Sequence, residues 1–240
     1  AGLNQFEPST GKFLNFDPAV TKGSITYSNV QCLLVTGDSI WAGTFLHGLD
    51  LLNLKGERIK NYNTLNSNIG SNFSDALLNT STGDIMVGTD KGVYVFSKST
   101  NNFERISELP QTFFRALSED ANGNIWAGTY GNGVYRYDPK KKKAYHYLFS
   151  VGGNKSVASN IINYIYCDAN DTVWLATEGG LCKLNASSGA LSIYTIQHNF
   201  PANVIYTIIK DDKSNLWLST SRGLVRFNPS TNGVRTFSKS

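Results

Sequence analysis

Three histidines, together with the carboxylates that could assist them, are the residues of this chain that could support catalysis. His47, His146 and His198 lie far apart, and no Ser-His-Asp arrangement is suggested, although folding can assemble such groups from distant positions. His47 could act as a base if Glu178 met it across a central axis of the fold. An enzyme, either a lyase or a hydrolase, therefore stays open as an alternative.

Metal and thiol chemistry have weaker signals. The sequence Asp120-x-Asn122-x-Asn124 superficially resembles a calcium loop, but it lacks the glycine at the sixth position and the distal glutamate. The cysteines are odd in number and have no C-x-x-C spacing: Cys32, Cys167 and Cys182. We interpret them as small buried hydrophobic residues, and we expect no metal site, no catalytic residues and no cofactor.

Composition excludes two further classes of function. The 240 residues carry a formal net charge of +4, and four of the positive charges form the lysine run at residues 140–143. Without any other basic stripe, nucleic-acid binding has no electrostatic footprint, so we interpret the run as a solvated turn. No apolar run approaches the roughly 18 residues of a membrane-spanning helix, and we expect no membrane insertion in this segment.

The elements that must position any site come from a repeated segment that predicts a strand, a glycine corner and a second strand. Its large apolar residue recurs at steps of 45, 40, 48 and 43 residues. Periods of about 40–45 residues that contain several strands indicate propeller blades. The five copies are SIWAGTFLHGLDLL, DIMVGTDKGVYVF, NIWAGTYGNGVYRY, TVWLATEGGLCKL and NLWLSTSRGLVRF.

The predicted fold is all-β, a single β-propeller domain over 1–240 built from four-stranded antiparallel blades. Residues 1–16 predict a half blade, and the chain reads as a fragment of a larger ring, for which seven blades is one candidate. The inner strands are nearly continuous in apolar residues, which predicts that both of their faces are covered. The full blades are predicted at residues 29–63, 72–106, 112–148, 160–196 and 203–238.

The repeated residues have mechanical explanations. A tryptophan, replaced once by Met86, can fill the wedge between neighbouring sheets. The small residue two positions after the tryptophan permits close approach of the backbone near the axis. The residue after it, a threonine, can bond turn amides. An asparagine recurs before four inner strands, and we interpret it as pinning a loop.

Three of the copies carry a family resemblance: EDANGNIWAGTYGNGVYRYDP, CDANDTVWLATEGGLCKLN and KDDKSNLWLSTSRGLVRFNP. They resemble the two-component regulator propeller repeat. The resemblance implies a periplasmic sensor region of a hybrid two-component system of Bacteroidetes, with the histidine kinase elsewhere in the parent protein. It also implies that an oligosaccharide or another small solute is the ligand. The partners would be the remaining sensor domains and a second copy of the chain.

The loops that join second to third strands differ in every copy, as a heterogeneous binding surface requires. Aromatic residues there could stack on sugar rings, and polar ones could bond hydroxyls. The alternatives are a propeller enzyme of the polysaccharide lyase or hydrolase type, a protein-interaction scaffold, and loops that vary without binding anything. The candidate ligand-binding residues are Phe45, His47, Asp90, Lys91, Tyr130, Asn132, Glu178 and Arg222.

Overall fold

The computed structural model describes residues 2–18, 23–149 and 156–238. Its sheets are all antiparallel: five have four strands and one has two. The predicted all-β class and the four-stranded propeller blades are confirmed. Between Phe114 and Arg115 the chain divides into two compact units, so that the single domain over 1–240 stays a prediction.

In the first unit, the two-stranded sheet is followed by two complete blades. Each blade runs in sequence order from its inner strand to its outer strand. The strands are β1 (Leu3–Glu7), β2 (Lys12–Phe16), β3 (Val30–Thr36), β4 (Ser39–Thr44), β5 (Leu49–Asn53), β6 (Arg58–Tyr62), β7 (Ser74–Asn79), β8 (Ile85–Thr89), β9 (Gly92–Ser97) and β10 (Asn102–Arg105).

The second unit contains three blades with the same strand order, the first of which begins at the boundary residue Phe114. One short 3-10 helix, Ile196–His198, follows β18. None of the described segments contains a helix long and apolar enough to span a membrane. The strands are β11 (Phe114–Glu119), β12 (Ile125–Thr129), β13 (Val134–Asp138), β14 (Lys143–Tyr147), β15 (Ile162–Cys167), β16 (Thr172–Thr177), β17 (Gly180–Asn185), β18 (Leu191–Tyr194), β19 (Ile205–Lys210), β20 (Leu216–Thr220), β21 (Gly223–Asn228) and β22 (Gly233–Phe237).

The corner between the second and third strand of every blade is closed by its threonine. In all five copies the threonine Oγ1 donates to the carbonyl of the glycine that starts the third strand or immediately precedes it, at 2.7–2.9 Å. In four copies the same Oγ1 also accepts a hydrogen bond from a loop amide, as Asn132 N donates to Thr129 Oγ1 at 2.8 Å. The predicted role of the threonine is therefore confirmed.

The glycine of this corner is needed for two reasons. Gly48 has a φ of 84°, in the left-handed region that side chains disfavour. A Cβ at Gly48 would also lie 2.2 Å from the carbonyl oxygen of Tyr62, the last residue of the outer strand. The missing side chain is what allows the outer strand to end against the start of the third strand.

The small residue after the tryptophan also permits a close approach. A Cβ at Gly43 would lie 2.8 Å from the carbonyl oxygen of Ser74, and one at Gly128 would lie 2.6 Å from Ile162 Cγ2. Ser74 and Ile162 each begin the inner strand of the following blade. These contacts confirm the prediction that the small residue lets neighbouring sheets approach each other.

The repeated tryptophan fills the space between consecutive blades, as predicted. Trp126 and Trp174 are almost completely buried. Trp126 packs with Ile162 and Val173 of the following blade, and Trp174 packs with residues of the blade after that, including Ile205. Each such ring removes a large apolar area from water, so that the tryptophans supply much of the cohesion between blades.

The prediction that both faces of the inner strands are covered is wrong. Val35 on β3 is 59% exposed, Tyr206 on β19 is 49% exposed and Ile209 is 64% exposed. Successive side chains of a strand point to opposite faces, and in these strands one of the two faces is left partly open to solvent. Apolar composition alone could not distinguish this arrangement from a strand covered on both faces.

The turn between the first and second strand is organised by a carboxylate in two blades. Asp120 accepts from Asn124 N and Nδ2 and from Trp126 Nε1, the last at 2.9 Å. Asp211 accepts from Asn215 and Trp217 in the same way. In the Asp120-x-Asn122-x-Asn124 segment, which superficially resembles a calcium loop, the aspartate therefore holds the hairpin turn and anchors the buried indole.

Replacing Gly48 with Ala should destabilise the first unit more than replacing Gly83 with Ala. Both glycines have a φ of 84°, so the backbone strain is shared. Only at Gly48 does the new Cβ meet other atoms, since nothing lies within 4 Å of the position at Gly83. We expect an additional loss of about 1–3 kcal/mol in the free energy of unfolding, measured by urea denaturation. Equal losses for the two variants would contradict the close approach.

Asp211 should make stability depend on pH in the acid range. The hydrogen bond from the Asn215 side chain is the main cause that lowers the pKa of Asp211 from 3.8 to about 2, with Trp217 and backbone amides assisting. The stabilisation is therefore present above about pH 3.8 and is lost as the pH falls towards about 2. Denaturation midpoints should fall less steeply across this window in Asp211→Asn than in the original chain. Asp212→Asn, which removes an exposed neighbouring carboxylate, should keep the original slope.

Candidate functional site

The predicted binding residues lie at one end of each blade, where the loop between second and third strands meets the start of an inner strand. Phe45 N donates to the Asn29 carbonyl at 2.9 Å, and Gly131 N donates to the Asn160 carbonyl at 3.0 Å. We call this end of a blade the loop end. The loop tips are thus held by backbone hydrogen bonds to the chain that leads into an inner strand.

The recurrent asparagine pins the chain between blades. Asn72 Oδ1 accepts from Thr64 N at 2.8 Å, and Asn203 Oδ1 accepts from Ile196 N at 2.9 Å. Asn160 accepts in the same way from the backbone amide of Phe149. The loop-pinning interpretation is confirmed for these three residues, which leaves their side chains committed to structure.

The loop end of the first unit carries a row of aromatic rings. The Phe45 and Phe73 rings meet edge to face at 5.4 Å, and the Phe73 and Phe113 rings meet edge to face at 5.1 Å. Phe45 is 39% exposed, and the other two rings are partly exposed. Three partly exposed phenylalanines therefore form one continuous apolar strip.

His47 follows Phe45 in the same loop, and its side chain already contacts two neighbouring residues. Its ring stacks on Tyr27, with centroids 4.1 Å apart and an interplanar angle of 13°. Its Nδ1 lies 3.0 Å from the Phe45 carbonyl oxygen. His47 and Tyr27 thus present a stacked pair, with Tyr27 partly exposed, at the same loop that carries Phe45.

Asp90 and Lys91 occupy the equivalent loop of the next blade. Thr89 at the end of β8 pairs with Ser74 at the start of β7. Asp90 follows Thr89 and Phe73 precedes Ser74, so both residues lie at the same end of this strand pair. Asp90 Oδ1 is buried and has no hydrogen-bond partner among the described residues. Lys91 donates its amide to Thr89 Oγ1 and its side chain is exposed.

In the second unit the structure brings Tyr130 and Glu178 to the same inner strand. Tyr130 forms an isolated antiparallel bridge with Ile161, and Glu178 N donates to the Ile161 carbonyl at 3.3 Å. Tyr130 is 53% exposed, and the Arg115 guanidinium lies 5.3 Å from its ring centroid. Asn163 Nδ2 lies 3.4 Å from Glu178 Oε1.

Asn132 and Arg222 contact residues outside the set of candidate binding residues. The Asn132 carbonyl lies 2.7 Å from His146 Nε2, and the His146 ring stacks on Tyr135 at 4.0 Å. Arg222 donates its amide to Thr220 Oγ1 and has an exposed side chain. His47 belongs to the first unit and Glu178 to the second, so that their pairing as base and partner stays a hypothesis.

Sequence reasoning missed several residues at the loop ends. Phe73 and Phe113 directly precede inner strands, at the repeat position that Ile161 and Val204 fill in the last two blades. The change from an aliphatic to an aromatic residue at that position was the available signal. Tyr27 and Arg115 have no comparable signal, since Tyr27 lies in the connection before β3 and Arg115 lies within β11.

Three of the repeats match a known family pattern. The sequence pattern of the two component regulator propeller family matches residues 108–131, 156–179 and 199–222. Each matched stretch contains the second strand of a blade and ends within the threonine corner. The predicted resemblance to the two-component regulator propeller repeat is confirmed. The chain is thus a propeller module that carries this repeat.

Among related proteins, histidine kinase P4 from Formosa agariphila is 28% identical over 193 residues. The match covers 75% of this chain but only 14% of that protein. This propeller module thus corresponds to a small part of the kinase's length.

Solved structures show the same fold. The extracellular domain of a one component system from B. thetaiotaomicron is 20% identical, with a TM-score of 0.61 over 98% of this chain and 38% of that one. The extracellular domain of a hybrid two component system from the same organism is 16% identical, with a TM-score of 0.52 over 100% of this chain and 37% of that one. An inactive virginiamycin B lyase from Staphylococcus aureus, solved with quinupristin, is 16% identical, with a TM-score of 0.69 over 90% of this chain and 72% of that one.

The three cysteines of this propeller module should resist alkylation while it is folded. Cys182 is buried, and Cys32 and Cys167 are half-buried. Desolvation raises the pKa of all three thiols to about 12, which disfavours the thiolate that reacts. Iodoacetamide at pH 8 should label them slowly in the native state and fully in urea, as counted by mass spectrometry. Rapid native labelling of any one of them would contradict its interpretation as a buried hydrophobic residue.

Proposed function

We propose that this propeller module is an extracytoplasmic, periplasmic sensing part of a hybrid two-component regulator and that it binds an oligosaccharide at its loop ends. The three matches to the two-component regulator propeller repeat support the sensing role. The aromatic row of Phe45, Phe73 and Phe113 is the observation that carries the choice of ligand. The module itself binds without catalysis, and the kinase lies elsewhere in the parent protein.

The aromatic row suits the apolar faces of sugar rings. Three phenylalanine rings at centroid spacings of 5.4 and 5.1 Å form a strip that is longer than a single sugar ring. This length favours an oligosaccharide over a monosaccharide. The stacked pair of Tyr27 and His47 adds a second aromatic surface on the same unit. Aromatic side chains supply large contact areas at a low cost in conformational entropy.

Polar recognition would come from Asp90. Its Oδ1 is buried without a hydrogen-bond partner in the described part of the chain, and an unpaired buried acceptor is costly. A sugar hydroxyl is a donor of the right kind to satisfy it. Because Asp90 and Phe73 lie at one strand end, a single ligand residue could stack on the ring and bond the carboxylate.

The loop ends of the second unit supply a separate candidate surface. Tyr130 offers an exposed ring, and Glu178, Asn132 and Arg222 offer hydrogen-bond partners of both kinds. Bound ligand would bias the packing of the module against the remaining sensor domains or against a second copy of the chain, and that bias would be relayed across the membrane. Such a relay requires different affinities for two states of the parent protein.

Isothermal calorimetry of the whole chain against neutral cello-, malto-, xylo- and galacto-oligosaccharides tests this proposal. We expect saturable binding of at least one series, tighter for longer members. Phe73→Ala should weaken it about twofold to thirteenfold, the range that corresponds to about 0.5–1.5 kcal/mol for an aromatic contact. Phe13→Ala removes an exposed phenylalanine of β2, outside the loop ends, and should leave the affinity unchanged.

The same titrations distinguish the alternatives. A parallel set with Tyr130→Ala assigns binding to the second unit if that variant, rather than Phe73→Ala, loses affinity. Release of shortened or unsaturated sugars would contradict the binding-only function and favour the lyase or hydrolase. An absence of heat with every series, or affinities that are unchanged in both Phe73→Ala and Tyr130→Ala, would overturn the proposed loop-end site.

A further inference from the structure

The second unit contains a polar pocket at the opposite end of its blades from the loop ends. It has a volume of about 220 Å³, well above the roughly 10–15 Å³ that one water requires. Its walls come from the turns β15–β16, β19–β20 and β21–β22 and from the strands beside them. The lining includes Asp168, Thr172, Trp174, Lys183, Lys210 and Lys213.

The lining of this pocket is positively charged. Three lysines and one aspartate contribute to it, which leaves an excess of two positive charges. Lys183 Nζ lies 5.5 Å from the centroid of the Trp174 ring, and Lys210 Nζ lies 2.7 Å from Asp168 Oδ1. In the part of the chain that the structure describes, neither Lys183 nor Lys213 has a carboxylate partner.

Trp174 supplies an unsatisfied donor beside these cations. It is 1% exposed, and its indole N–H is buried without a hydrogen-bond partner among the described residues. In the two sibling turns the indole N–H donates at 2.9 Å to an aspartate six residues earlier, Asp120 or Asp211. A carboxylate is therefore the group that this fold places on the equivalent atom.

Asp168 occupies the sibling position but points to a different partner. In the sibling turns, Asn124 and Asn215 donate Nδ2 to both oxygens of their aspartates. Thr172 stands in place of that asparagine, so the carboxylate of Asp168 is released and accepts from Lys210 instead. The hydrogen bond that Lys210 donates to Asp168 in turn raises the pKa of Lys210, which favours the charged ammonium form.

We propose that this pocket binds an oxyanion, a carboxylate or sulfate group, between Lys183, Lys210 and Lys213 and within reach of the unpaired indole of Trp174. The group could be a free anion or the acidic substituent of a sugar, and the volume has room for more than a bare ion. The site lies away from the loop ends, and it stands or falls independently of oligosaccharide binding there.

The test is a titration of the ¹⁵N-labelled chain with sulfate, galacturonate and galactose at constant ionic strength, followed by the indole N–H signals in NMR spectra. Trp174→Phe identifies the signal of Trp174. We expect this signal to shift and saturate with sulfate or galacturonate at millimolar concentration, and to stay unmoved with galactose. Binding of both anions, or of sulfate alone, assigns a general oxyanion site, and binding of galacturonate alone assigns an acidic sugar.

Charge variants separate a built site from general attraction. Lys183→Gln and Lys213→Gln should each weaken anion binding about tenfold, as expected for the loss of one charge-assisted contact. Lys140→Gln removes one exposed charge elsewhere in the same unit and should leave binding unchanged. The proposal is overturned if no signal saturates, if galactose binds as well as galacturonate, or if Lys140→Gln weakens binding as much as Lys213→Gln does.

Discussion

The structure depends on the corner between the second and third strand of each blade. There a threonine hydroxyl bonds the carbonyl of a glycine, and in four of the five corners the glycine lies closer to the end of the outer strand than a Cβ would allow. The Thr44–Gly48 corner encloses three loop residues and the Thr89–Gly92 corner encloses two, yet the hydrogen bonds are 2.8 and 2.9 Å long. The corner therefore tolerates loops of different length and chemistry without any change in the strands, which is what allows the loop tips to carry function.

The parts of the fold that could be predicted are those with local signals. In each blade, about fourteen consecutive residues predict the second strand, the corner and the third strand, and five copies establish the period of the repeat. The exposure of the inner strands was not predictable in this way. Ile209 and Ile208 are equally apolar in the sequence, but Ile209 is 64% exposed and Ile208 only 1%, because the neighbouring sheet covers one face of the strand. Which face is covered is a property of packing between blades.

The candidate site divides along the same line. Phe45, Tyr130 and Glu178 could be placed at loop tips because they interrupt a repeated framework. Phe73 was missed, since its position reads as the start of a strand and its aromatic character was the one available signal. The edge-to-face contacts with its neighbours are what reveal a partly exposed row. Asp90 was predicted as a polar contact, but its unsatisfied oxygen depends on the three-dimensional surroundings of a single atom.

The turns at the other end of the blades show how one substitution can convert structure into a potential site. Asp120, Asp168 and Asp211 all precede a tryptophan by six residues, so that this spacing alone predicts three identical anchors. An aspartate side chain is short, and its direction is set by the donors around it. Where asparagine donates to both oxygens the carboxylate is held on the indole, and where Thr172 replaces it the carboxylate turns to Lys210. The indole of Trp174 then loses a hydrogen bond whose absence costs about 1–3 kcal/mol, and its ring is instead faced by Lys183. An unsatisfied donor surrounded by cations is stabilised by any acceptor that carries negative charge, and for that reason the departure from the repeat is more informative than the repeat.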